Sequence, residues 1–124
     1  MTIRSDRLSV VGVDLADLLS RVENDVSLLG ELVSIFKEEF PTLLRELQES
    51  IARKDIKKIE VTSHAMKGML SGLSATRAAA IASQVEQMAR DGKSSGLADS
   101  LTALECEVDN LLPELDAYVA EAQQ

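Results

Sequence analysis

The only histidine of this 124-residue chain lies in the segment Ser63-His64-Ala65-Met66-Lys67-Gly68. In a helix turning about 100° per residue, His64 points about 160° away from Met66 and therefore towards water. Lys67, three positions later, can place a positive charge beside whatever the imidazole carries. Gly68 lies about 40° from the His64 direction and leaves the approach to the ring uncovered. The residues predict an exposed nucleophile with a cation beside it; the competing interpretation is an ordinary solvated histidine.

Apolar periodicity predicts the helices that must position this segment. A first short helix begins after a capping Asp14 and ends near Val22, and a long second helix runs from Val26 to Lys54, with a kink at Pro41. The third helix, capped by Asp55, covers residues 56–73, the fourth, capped by Ser74, ends at residue 90, and the last runs from residue 97 to the C-terminus, kinked at Pro113. The apolar stripe of the second helix is Leu29, Val33, Phe36, Phe40, Leu43 and Leu47, and that of the last is Leu97, Leu101, Leu104, Val108, Leu111, Leu115 and Tyr118.

Four amphipathic segments joined by short loops predict an all-α protein. The expected architecture is an antiparallel up-down-up-down four-helix bundle with a short additional N-terminal helix. Aromatic residues make up only 2% of the chain, which disfavours a sheet. With 45% apolar residues the chain can bury one core, so we expect a flexible arm over residues 1–12 and a single domain over residues 13–122.

Charge and cysteine content exclude several classes of function. The net charge of −8 repels phosphate backbones and disfavours nucleic-acid binding. The one basic cluster, residues 53, 54, 57 and 58, fits the end of a helix, where cations are favoured. A single cysteine, Cys106, excludes an internal disulfide and gives no zinc ligand set. Without a secretory or membrane-spanning stretch, we expect a cytoplasmic protein that does not bind membranes.

The turn near Ser74 brings two further charged residues to the level of the histidine. His64 lies ten positions before Ser74 and Glu86 lies twelve after it, so the two face each other across a helical hairpin. Glu86 can accept a hydrogen bond from one imidazole nitrogen and leave the other free to attack. Arg90 follows one turn later. The competing interpretation of Glu86 is a solvated side chain.

His64-Ala65-Met66-Lys67-Gly68 resembles the His-x-x-Lys-Gly signature of histidine-containing phosphotransfer (HPt) domains. The resemblance extends to Asp25-Val26-Ser27-Leu28-Leu29, to Phe40-Pro41-Thr42-Leu43-Leu44 and to Val85-Glu86. It covers residues 14–92 specifically, whereas the last helix matches only in kind. One position departs from the pattern, because these domains usually have glycine ten residues after the histidine, where this chain has Ser74.

The resemblance implies a phosphorelay carrier. His64 would accept a phosphoryl group from the aspartate of a response-regulator receiver domain and pass it to another receiver. Lys67 and Arg90 would lie near the phosphate, Gly68 would admit the partner, and Glu86 would orient the ring. Because the chain has no phosphate-binding loop and no acidic triad for a metal, we expect no cofactor of its own, Mg²⁺ in the partner receiver, and no independent enzymatic activity.

The expected docking surface surrounds His64. Val61, Ala65 and Met69 form an apolar strip about 60° to 140° from the Met66 direction, with Lys57, Lys67 and Ser71 at its rim. The alternative is that this strip packs against the short first helix. The expected partners are receiver domains and a hybrid sensor histidine kinase, and we expect the protein to be a monomer.

Two other functions are compatible with the same bundle. The first is an adaptor or inhibitor that binds a receiver or kinase without carrying phosphate, and the second is a purely structural helical domain. The sequence leaves open the identity of the partner, the direction of phosphate flow and the response controlled. It also leaves open whether the chain stands alone or is one domain of a hybrid kinase.

Overall fold

Five helices dominate residues 9–123, the part of the chain that the computed structural model describes. They are α1 (Leu15–Arg21), α2 (Val26–Arg53), α3 (Ile56–Gly72), α4 (Thr76–Arg90) and α5 (Leu97–Ala122). In the bundle α2 packs on α3, α3 on α4, α4 on α5, and α5 back on α2. Short connections make these neighbours antiparallel, which confirms the all-α up-down-up-down bundle with one additional short helix.

The predicted apolar stripes of α2 and α5 form the centre of the bundle. The stripe residues of α2 are all buried except Leu43, which is partly buried. Those of α5 are all buried except Tyr118, which is also partly buried. Phe36 and Phe40 stack with their ring centroids 4.6 Å apart. Both helices continue through their prolines, since Pro41 lies inside α2 and Pro113 inside α5.

Three aspartates cap the N-termini of helices, and for Asp14 and Asp55 the sequence predicted it. Asp14 accepts a hydrogen bond from the Asp17 amide at 3.1 Å, and Asp25 accepts one from the Leu28 amide at 3.0 Å. Asp55 accepts one from the Lys58 amide at 3.2 Å and so begins α3. Each bond satisfies a backbone donor that has no partner within its own helix.

The prediction that Ser74 caps α4 is wrong. The cap position is Ala75, which makes no side-chain hydrogen bond there, and Ser74 has a left-handed backbone with φ +53°. Its hydroxyl instead donates to Asp17 Oδ2 at 2.7 Å, and its carbonyl accepts from the Asp14 amide at 2.8 Å. The turn therefore needs a backbone conformation that glycine adopts easily, and the serine in its place ties the turn to α1.

Part of the segment assigned to a flexible arm is packed against the bundle. Residues 1–8 and 124 lie outside the described residues, but Val10 is buried, with only 2% of its surface exposed. Its carbonyl accepts from the Val13 amide at 3.0 Å. The packed part of the chain thus begins before residue 13, because the apolar side chain of Val10 finds a place in the core.

None of the helices in residues 9–123 has both the length and the apolar character needed to span a lipid bilayer. Cys106 is an exposed thiol on α5. Among the same residues, no three histidine, cysteine, aspartate or glutamate side chains are grouped closely enough to hold a metal ion.

Candidate functional site

His64 lies in the middle of α3, with its side chain facing solvent. The side chain is 66% exposed, whereas Met66, two residues later, is fully buried. The preceding Ser63 is also fully buried, and its hydroxyl donates to the Ile59 carbonyl at 2.6 Å. The periodicity of α3 therefore turns the imidazole outwards while the residues beside it anchor the helix in the core.

Glu86 on α4 is buried, with 2% of its surface exposed, and contacts the imidazole directly. His64 Nδ1 lies 3.0 Å from Glu86 Oε2. An ionised carboxylate only accepts hydrogen bonds, so Nδ1 of a neutral ring paired with it carries the proton. Among residues 9–123 no group makes a hydrogen bond to Nε2, which leaves that nitrogen with its lone pair facing solvent.

Two cations complete the surroundings of Glu86. Lys67 Nζ lies 3.3 Å from Oε1, and Arg90 Nη2 lies 2.7 Å from Oε2, the oxygen that also contacts His64. Burial by itself raises the pKa of Glu86. The hydrogen bonds from Lys67 and His64 and the charges of Arg90 and Lys67 outweigh burial, so the pKa of Glu86 lies below its ordinary value.

Arg90 also connects α4 to Glu60 on α3. Its Nε donates to Glu60 Oε2 at 2.9 Å, and this hydrogen bond, with the charge of Glu86, raises the pKa of Arg90. Glu60 was not among the site residues predicted from the sequence. The hairpin register that relates His64 to Glu86 could have found it, since Glu60 lies fourteen positions before Ser74 and Arg90 sixteen after it.

The approach to His64 is open at Gly68. A Cβ atom added at Gly68 would have no neighbour within 4 Å. Gly68 lies one turn after His64 on the same exposed face of α3. A partner can therefore come close to the ring without meeting a side chain at this position.

A family model for the Hpt domain matches residues 31–124. That match spans 94 of the 124 residues. The chain belongs to the Hpt domain family. No curated protein and no solved structure matches the chain in the corresponding searches.

The extent of the Hpt match differs from the resemblance seen in the sequence. The match includes all of α5, for which only a general resemblance was expected, and it begins inside α2, after α1. Hpt domains carry phosphoryl groups in phosphorelays and interact with receiver domains and kinases. Membership therefore associates the chain with histidine phosphotransfer in phosphorelays.

The residues predicted to surround the histidine of this Hpt domain lie along the outer surface of α3. Val61 is 54% exposed, and Ala65 and Ser71 are exposed as well. The Lys57 side chain is 82% exposed and its Nζ lies 4.0 Å from Glu60 Oε1. All four are thus accessible to a partner.

Met69, the last member of the predicted strip, is half-buried at a groove between α2 and α3. The groove has a volume of about 180 Å³, and its other lining residues are Leu32, Ile35, Phe36, Glu39, Gly72 and Leu73. None of these lining residues comes from α1. Ile35, which was not among the residues predicted for this surface, is 47% exposed there.

Proposed function

We propose that this Hpt domain is a phosphocarrier that accepts a phosphoryl group on His64 Nε2 from the aspartyl phosphate of a receiver domain and passes it to another receiver. The observation that supports this most directly is the buried Glu86 carboxylate at 3.0 Å from Nδ1. A carboxylate at that nitrogen fixes one tautomer and leaves Nε2 as the nucleophile on the exposed side of the ring.

The proposed step is an in-line displacement at phosphorus. The Nε2 lone pair forms the new P–N bond, while the P–O bond to the receiver aspartate breaks and the carboxylate leaves with the bonding electrons. No proton needs to leave the ring, because Nδ1 keeps its hydrogen and the phosphorylated ring becomes a cation beside Glu86. The reverse displacement, by the aspartate of a second receiver, returns His64 to its neutral form.

Lys67 and Arg90 are the cations available to the transferred group. Both contact Glu86 and keep exposed surface, with 36% of the Lys67 side chain and 51% of the Arg90 side chain accessible. Phosphoryl transfer depends mainly on positioning and on neutralising the charge of the transferred oxygens. We infer that these two residues supply part of that neutralisation, and that a Mg²⁺ ion held by the receiver supplies more.

The partner surface in this proposal combines the strip around His64 with the groove beside it. Val61, Ala65 and Met69 provide apolar area, and Ile35 extends it across the groove onto α2. Lys57 and Ser71 lie at the polar rim. Apolar centres with polar rims are typical of protein interfaces, and a receiver domain that presents its aspartate to His64 must cover this area.

Intact-mass measurement tests the proposal. The protein is incubated with phosphorylated receivers and compared with the His64→Gln variant, which removes the nucleophile from an exposed position. The expected result is one acid-labile phosphoryl adduct on the wild type and none on the variant. No adduct with any receiver, together with full activity of His64→Gln in cells, would reject the carrier and favour the adaptor that binds without phosphate.

A further inference from the structure

Glu60 lies one helical turn before His64 on α3 and faces the same side. Its side chain is 26% exposed and accepts a hydrogen bond from Arg90 Nε at 2.9 Å. Lys57 Nζ lies 4.0 Å from its other oxygen. A second carboxylate is therefore held within one turn of the nucleophile, at a spacing where side chains on a helix interact.

The guanidinium of Arg90 donates hydrogen bonds to two different carboxylates. Nε donates to Glu60 at 2.9 Å and Nη2 donates to Glu86 at 2.7 Å. Nε and Nη2 form one edge of the guanidinium, and such an edge can donate two parallel hydrogen bonds to one phosphate. Both donors of that edge are occupied. Arg90 must therefore release Glu60 or Glu86 before the same edge can bind a phosphoryl group.

Of these two contacts, the one with Glu60 is the easier to exchange. Glu86 is buried and holds Lys67 and His64 as well, whereas Glu60 is partly exposed and its carboxylate can be solvated when Arg90 leaves. Solvated ion pairs contribute little stability, so an incoming phosphoryl group can compete for Arg90. Glu60 would also repel that group directly, because both are negative.

We propose, resting on the proposed function, that Glu60 is a positioning residue that withholds Arg90 from phosphorylated His64 and thereby favours onward transfer over storage of the phosphoryl group. In the resting protein Glu60 holds the guanidinium against the α3–α4 hairpin. After transfer, Glu60 competes with the phosphoryl oxygens for Arg90. The carrier therefore holds its phosphoryl group less tightly than it would without this carboxylate.

The test uses Glu60→Gln, which removes the charge and keeps the size of the side chain. The measurement is the equilibrium constant for phosphoryl exchange between a receiver and His64, followed by intact mass at low salt. We expect a shift towards phosphorylated His64 of about two- to fivefold, because a phosphoryl group carries nearly twice the charge of the partners in ordinary helix pairs.

Two comparisons separate this role from a general effect of charge or stability. Glu38→Gln changes the net charge equally but lies on α2 at the groove shared with α5, so the exchange constant should not change. In an Arg90→Gln background, Glu60→Gln should have a clearly smaller effect than in the wild type. A shift of the same size in that background would overturn the role through Arg90.

The outcomes also separate this inference from the proposed function. If the wild type takes up phosphoryl and Glu60→Gln has the same exchange constant, the inference is wrong and the carrier function stands. If the wild type takes up none from any receiver, the proposed function fails and the inference with it.

Discussion

At the scale of single residues, Glu86 is deeply buried and contacts three charged or polar hydrogen-bond donors. Lys67, His64 and Arg90 all contact its carboxylate, and their effect on the pKa of Glu86 outweighs that of burial. All three donors keep their own access to water. The carboxylate is therefore stabilised in its ionised form without isolating the cations that the proposed chemistry uses.

The lowered pKa of Glu86 predicts how the stability of the fold depends on pH. The folded protein binds this proton less readily than the unfolded chain, whose glutamate titrates near the ordinary value of 4.5. The contribution of Glu86 is therefore present above that pH and is lost as the pH falls through the lower value of the folded state. We expect Glu86→Gln to lower the free energy of unfolding at pH 7 by about 1–2 kcal/mol.

Urea denaturation of the wild type and Glu86→Gln at a series of pH values measures this effect. The difference in the free energy of unfolding should shrink as the pH falls below 4.5, the ordinary value for glutamate. A difference that stays the same from pH 7 down to the acid range would show that the charge of Glu86 does not stabilise the fold.

The pairing of His64 with Glu86 was predictable because ten and twelve positions from the turn at Ser74 place the two residues at similar heights of a tight helical hairpin. The burial of Glu86 was not, since the competing interpretation of a solvated side chain fits the same sequence. The division of Arg90 between Glu60 and Glu86 depends on rotamers of long side chains, which spacing does not determine.

The turn between α3 and α4 is held partly by a contact with α1. Ser74 has a φ of +53° and is 3% exposed, and its hydroxyl donates to Asp17 on α1. That hydrogen bond and a second one from Arg21 lower the pKa of Asp17. Serine at this turn therefore adopts a backbone conformation that glycine would adopt more easily, and it gains a hydrogen bond to another helix.

Two substitutions separate these opposing effects. Ser74→Ala loses the hydroxyl and keeps the strained backbone, whereas Ser74→Gly loses the hydroxyl and relieves the strain. We expect Ser74→Ala to be less stable than Ser74→Gly by about 1 kcal/mol in chemical denaturation. Equal stabilities would mean that the left-handed backbone costs nothing here, and because the turn is far from the imidazole, both variants should still take up phosphoryl.

The helix bounds could be predicted to within one or two residues because aspartates and apolar stripes mark them in the sequence. The cap of α4 could not, because serine is a good capping residue and only the tertiary contact with Asp17 shows that its hydroxyl is used elsewhere. The same limit applies to Val10, whose burial depends on how the N-terminal segment crosses the bundle.

At the scale of the whole molecule, the bundle presents one face that is both apolar and close to His64, the proposed nucleophile. Val61 is among its most exposed large apolar residues, at 54%, and lies three positions before His64. The ring of helices places α5 beside α2 and α4, away from α3. The face around His64 can therefore be compared with the opposite face, which α5 forms.

Val61→Asp should weaken binding to a receiver at least about tenfold, because it places a charge in the apolar part of the proposed interface. The matched control is Ala103→Asp, an exposed position on α5. Binding is measured by titration calorimetry, with circular dichroism to verify that both variants fold. Equal affinities for the two variants would remove Val61 from the interface.

The single histidine permits a direct test of the central claim that Nε2 carries the phosphoryl group. Protein labelled with ¹⁵N-histidine is phosphorylated by a receiver and its ³¹P and ¹⁵N NMR spectra are recorded. We predict one phosphorus coupled to Nε2, with the hydrogen retained on Nδ1 next to Glu86. Coupling to Nδ1, or a phosphoryl group on another residue, would contradict the account.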